Sequence, residues 1–189
     1  MKRGKNYQES AKLIEKLKMY FVIGGMPEAV KAWTFDNDIK EVDKILMSIL
    51  DAYEADFGKH SPIYDVPKIR LIWDSLPSQL AKENKKFLYS VVKHGARARE
   101  YENALNWLKN ADLIKKVSKI TKPGLPIKAY EDLSAFKIYM NDVGLLRKHS
   151  NLSTSAFIEE NRLEKSRFKK GKLEKGKSEE ARSEANRYN

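Results

Sequence analysis

The residues most suggestive of chemistry are at 171–178, GKLEKGKS, which satisfies the phosphate-loop spacing G-x-x-x-x-G-K-[ST]. A working loop needs a buried strand before it and a helix after it, so that backbone N–H groups converge on phosphates and the hydroxyl reaches magnesium. Here SRFKK precedes the match and eleven residues follow Ser178, none forming an acidic strand to hold the metal. A Lys/Glu/Ser-rich stretch generates this pattern by chance, and nucleotide hydrolysis is not assigned to it. His60, His94 and His149 are far apart in sequence and read as surface or capping residues. Glu41, Asp43, Asp51, Glu54 and Asp56 mostly fall off an apolar helical stripe, so they read as a solvated face and not as paired catalytic carboxylates. No Ser/His/Asp arrangement can be picked out, and the expectation is a protein without catalytic or metal-binding residues.

A different chemistry is offered by Lys82, Lys85, Lys86, Lys93, Arg97 and Arg99, interleaved with Phe87 and Tyr89. Cationic side chains ahead of a helix can reach phosphates and base edges in the major groove, so these six are the candidate nucleic-acid-binding residues. The competing reading is ordinary: Lys and Arg decorate exposed faces while the two aromatics fill a core.

These residues need a scaffold, and the hydrophobic spacing supplies one. Leu13, Ile14, Leu17, Tyr20 and Phe21 fall on one face of a helix over 10–21, which predicts a buried stripe. Gly24 and Gly25 break that helix, and Pro27 with Glu28 opens a short second one over 26–34. Asp36 or Asp38 caps a third, in which Ile39, Val42, Ile45, Leu46, Ile49, Leu50 and Tyr53 repeat at three and four residues. Gly58, Pro62 and Pro67 mark a subdomain boundary. Val66, Ile69, Ile72, Trp73 and Leu76 predict a further helix, with Pro77 restarting the chain into a short basic segment over 78–88. Another helix follows over 98–114, with Tyr101, Ala104, Leu105, Leu108 and Ala111 on one side. Then the period changes: Val117 and Ile120, the Pro123-Gly124 turn, and Leu125, Ile127 and Ala129 read as two short strands around a tight connection. Helices followed by a hairpin suggest a winged helix.

Composition sets the outer bounds. The 189 residues are 41% hydrophobic, enough for a core, and 33% charged, with no apolar run long enough for a membrane span. Nothing at the start reads as a secretory signal, and the absence of cysteine suits a reducing compartment, so the expectation is a cytoplasmic protein with no membrane partner. The net charge of +11 attracts polyanions. From Arg147 onward there are twelve Lys/Arg and seven Asp/Glu, so +5 of the total lies in the last fifth of the chain, where isolated apolar residues hold no single helical face. That tail, 150–189, is expected to be disordered or a solvated helix.

Four blocks in order, YFVIGGMPEAV (20–30), LPSQLAKENKKF (76–87), GARAREYENALNWL (95–108) and FKIYMNDVGLL (136–146), resemble the C-terminal domain of unknown function that follows the motor in one group of prokaryotic AAA-family ATPases. The resemblance implies a mainly α fold: a helical lid-like subdomain over 1–60, a winged-helix-like subdomain with a short β-hairpin over 61–132, and a short strand/helix remnant over 133–149 before the charged tail. It also implies that Gly24, Gly25 and Pro27 form a turn facing a nucleotide held by a separate motor, so that ATP enters only if such a motor is supplied. The sequence departs from that family by lacking the motor's phosphate loop and the nuclease-like portion, which suggests a truncated or frame-shifted relative or a deliberately cut piece, with a standalone module as the alternative. The expected function is a non-catalytic nucleic-acid-binding module with DNA as partner; the alternative is an interaction module docking on an intact ATPase subunit.

Overall fold

The computed structural model describes residues 3–82 and 86–154. Every element described below lies within one compact unit that ends at residue 151, and the remaining described residues, 152–154, fall outside it. The described chain is mainly helical with one small antiparallel sheet. Helix α1 (Arg3–Ile23) ends at Gly24, whose φ of 78° lies in the left-handed region that glycine enters without strain. Helix α2 (Pro27–Asp36) starts on Pro27, where the missing N–H costs nothing, and closes on Asn37 in the left-handed conformation. Of the two candidate caps for α3 (Ile39–His60), Asp38 is the one used: its Oδ1 accepts from Lys40 N at 2.8 Å and Glu41 N at 3.4 Å.

The α3 stripe is buried as its spacing predicts, through Val42, Leu46 and Leu50 with Phe57 extending it. Phe57 stands edge-on to Trp73 at 5.6 Å and to Trp107 at 5.7 Å, joining α3 to α4 (Val66–Ala81) and α6 (Ala98–Asn110). One apolar core therefore spans both sides of residue 60, and Leu145 from the segment after 132 joins the same cluster.

Three local expectations are corrected. The α1 stripe is not buried: Leu13 is 65% exposed, Ile14 53% and Leu17 51%, with Tyr20 and Phe21 also open. The apolar packing of α1 comes from its C-terminal end, where Met19 packs on the core and Val22 and Ile23 are buried. Spacing specifies an apolar face but not whether its cover lies in the same chain.

Pro77 does not restart the chain; it lies inside α4. A proline there removes the N–H that would satisfy the carbonyl of Trp73, normally a strong reason to break the helix. That carbonyl instead accepts from Nε2 of His149 at 3.0 Å, while the imidazole lies against the Trp73 ring. His149 is thus a packed structural residue, where the sequence suggested surface or capping.

The hairpin is also longer and differently placed. Strand β1 is Ile114–Ile120 and pairs antiparallel with β2, Glu131–Met140, so Leu125, Ile127 and Ala129 are not in a strand. A 3-10 turn (Ile127–Tyr130) fills the connection, closed by Thr121 N donating to Tyr130 O at 2.9 Å. Prolines at 123 and 126 each withhold a ladder donor, which keeps this stretch out of the sheet. After β2, the helix α7 (Val143–His149) packs back on α1 and α3.

Candidate nucleic-acid interface

The segment between α4 and α6 is built from few residues. Gln79, fully buried on α4, makes a two-way amide bond with Leu88: Leu88 N donates to Oε1 at 3.0 Å and Nε2 donates to Leu88 O at 2.9 Å. Phe87 N donates to Phe136 O at 2.8 Å, tying the same stretch to β2, and the two phenyl rings stack at 5.3 Å. The one-turn helix α5 (Tyr89–Val92) follows, then a turn in which Gly95 takes a φ of 76°. Tyr89, edge-on to Phe87, has its phenol pushed above the usual range by burial and by the nearby Glu102 carboxylate. Gln79 went unremarked in the sequence because a single amide on a helix carries no periodic signal. Replacing it with Ala leaves the Leu88 N–H without that acceptor and its carbonyl with only the bond from Val91 N at 3.0 Å, and is expected to cost about 2 kcal/mol in urea unfolding.

Helix α6 presents its apolar side, Tyr101, Ala104, Leu105 and Leu108, to the core and an open polar side to solvent. Lys93, Arg97 and Arg99 are exposed at the turn before α6 and its first residues. Glu100 holds the helix start by accepting from Arg97 N at 3.4 Å, which leaves the Arg97 side chain outside that bond. Asn103 and Asn106 are exposed on α6 and add amide groups the sequence reading did not single out. Lys82 stands at the C-terminus of α4. Lys86 is placed differently, lining a groove on the hairpin with Lys119 and Lys137. Lys85 and the run 171–178 lie outside the described residues. The five described cations therefore divide between the α6 turn, the end of α4 and the hairpin.

The Gly24–Gly25 turn faces a residue of this same chain. Asp142 is buried, and its Oδ2 accepts from Gly25 N at 2.6 Å while its Oδ1 caps α7 through Leu145 N at 2.9 Å. A Cβ on Gly24 would lie 2.2 Å from Asp142 Oδ1, so glycine is required there by contact as well as by φ. Pro27 opens α2 just beyond. Two of the four sequence blocks, 20–30 and 136–146, are thus interlocked through this carboxylate.

The carboxylates around α3 form ordinary ion pairs with neighbouring cations: Glu41 with Lys44, Glu54 with Arg70, and Asp43 with Arg147 and Lys148. Asp56 sits one turn before His60 at 3.9 Å, but no third ligand joins them, and no metal-holding group of three occurs among the described residues. No described helix is long and apolar enough to cross a membrane.

Residues 14–156 match a family described as a domain of unknown function, DUF8612. The chain belongs to this family. The DUF8612 match takes in the C-terminal part of α1 from residue 14, all later described elements and the Asp142 interlock. No curated protein and no solved structure matches the chain.

Proposed function

We propose that this DUF8612 domain is a non-catalytic nucleic-acid-binding module, with residues 66–140 acting as a winged-helix-like unit. The observation that carries the reading is the order α4, a bridge from Phe87 to β2, α5, α6 and hairpin, with Lys93, Arg97 and Arg99 exposed where α6 begins. In that arrangement α6 enters the major groove, its first turn meets phosphates, and Asn103 and Asn106 face base edges. The ancestry proposed with it is the C-terminal region of AAA-family ATPases, on the strength of the four sequence blocks. ATP would then belong to a separate motor, and no cofactor is assigned to this chain.

The test is fluorescence anisotropy of labelled duplex DNA against the full chain at several salt concentrations. The double reversal Arg97→Glu/Arg99→Glu is expected to weaken binding at least tenfold and to lower the log–log salt slope by about two, one for each lost phosphate contact. Unchanged affinity in that variant would remove α6 from the interface and leave any binding to other basic segments.

The exposed α1 face favours a second reading, a docking surface for an intact ATPase subunit. Leu13, Ile14 and Leu17 present an exposed apolar strip on a helix whose buried apolar residues, Val22 and Ile23, lie at its far end. If that reading holds, Leu13→Lys/Leu17→Lys abolishes pull-down of the ATPase partner while duplex binding stays intact.

A further inference from the structure

The hairpin has two unlike faces. Ile114, Phe136, Ile138 and Met140 turn inward to the core. On the outer face Lys115 is opposite Tyr139 and Val117 is opposite Lys137, so cationic and apolar side chains alternate both along and across the strands. The register is interrupted between Ser118 and Lys119, beyond which Lys119 pairs with Asp132. A bulge of this kind re-aims the side chains beside it. Lys119, Lys137 and Lys86 border an open groove of about 610 Å³, floored by Val117, Ala135 and Tyr139. Val117 is 52% exposed and Tyr139 37%. Asp132 is paired across the strands with Lys119; Ser134 hydrogen bonds chiefly hold its carboxyl below the usual carboxylate range, with Lys119 and Lys86 contributing.

We propose that this outer face is a binding site for single-stranded nucleic acid, with Tyr139 and Val117 as a platform for an unpaired base and Lys86, Lys119 and Lys137 as contacts to the flanking phosphates. Lysines alone would serve a duplex equally well. The exposed tyrosine beside Lys137 is what selects a single strand, because duplex bases are already stacked on one another and offer no free face. A platform built on a sheet has fixed side-chain directions, so the aromatic ring is in place before the strand arrives while the flexible lysine stems adjust to the phosphates. The proposal shares the nucleic-acid reading given above but rests on different residues, and the two can fail separately.

The experiment is a parallel titration of the full chain with a labelled single-stranded oligothymidylate and with a duplex of the same length, at low and moderate salt. Single-strand binding that falls with salt is expected, and Tyr139→Ala and Lys137→Ala should each weaken it by roughly five- to tenfold while changing duplex affinity by less than about twofold. Tyr139→Phe keeps the ring and should bind as the unaltered chain does. Asp132→Asn, which removes the carboxylate opposite Lys119, should tighten single-strand binding. Circular dichroism of each variant checks that the solvent-facing substitutions leave the fold intact. No single-strand binding, or binding that is indifferent to both Tyr139→Ala and Lys137→Ala, overturns the proposal. If the duplex is still bound through Arg97 and Arg99 in that case, the α6 reading stands. If the single strand is held through Tyr139 and the duplex is not bound, the hairpin site stands and the α6 reading falls.

Discussion

Substituting Arg147 by Ala is expected to remove about 3–5 kcal/mol of folding stability, read as a shift of the urea midpoint with unchanged slope. Only 3% of Arg147 is exposed. Its Nε donates to Val22 O at 2.8 Å, at the end of α1, and its guanidinium pairs with Asp43 on α3. One side chain on α7 therefore secures two other helices. Removing it leaves the Val22 carbonyl without that donor and Asp43 with only the longer contact to Lys148 at 3.7 Å. Desolvation makes the loss of one partner far costlier than the absence of both. The double variant Asp43→Ala/Arg147→Ala should accordingly be less destabilised than the sum of the single variants. Full additivity would mean that the pair does not couple. The effect should persist at high salt, because a buried pair is poorly screened.

Gly144→Ala should have the other large effect, about 3 kcal/mol or more, for a reason of contact and not of charge. A Cβ on Gly144 would lie 2.3 Å from Ile23 O and 2.7 Å from Gly24 N, both backbone atoms of the α1 terminus. A side-chain neighbour could rotate away, whereas here α7 itself must lift off α1, straining the Asp142 bonds to Gly25 and Leu145. Gly58→Ala is the contrasting control, since no atom lies within 4 Å of its added Cβ and it sits within α3. That variant should be neutral or gain about 0.5–1 kcal/mol from the better helix propensity of Ala. Thermal melts of the two side by side measure the difference. Equal behaviour would mean that the α1–α7 contact is looser than these distances require.

Both predictions concern a link that sequence reading did not reach. The blocks 20–30 and 136–146 were noticeable as words, and Gly24 and Gly25 as a helix break. Nothing in either block states that Asp142 occupies the turn, because the contact spans 117 residues of chain. Pro77 is a related case. Local chemistry argues for a break at that position, and what reverses the argument is a histidine 72 positions later whose ring satisfies the carbonyl that the proline leaves open. The α1 stripe fails in the opposite direction, since its spacing is correctly helical and its expected cover is absent among the described elements.

The candidate interface divides along the same line. Exposure of Lys93, Arg97 and Arg99 before a helix was legible, since charge and helix start are local properties. The separation of Lys86 from them was not, because it depends on Phe87 pairing with β2 and carrying its neighbour to the hairpin groove.

By itself, then, the sequence determined the helices with strong apolar period, a cap for α3 at Asp36 or Asp38, the helix start at Pro27 and the presence of a hairpin, all set by interactions within a few residues. The tertiary structure alone decided which apolar face is covered, whether Pro77 breaks its helix, where the second strand begins and which cations share a surface. Those outcomes depend on hydrogen-bond partners and packing surfaces far away in the chain, and local spacing carries no record of them.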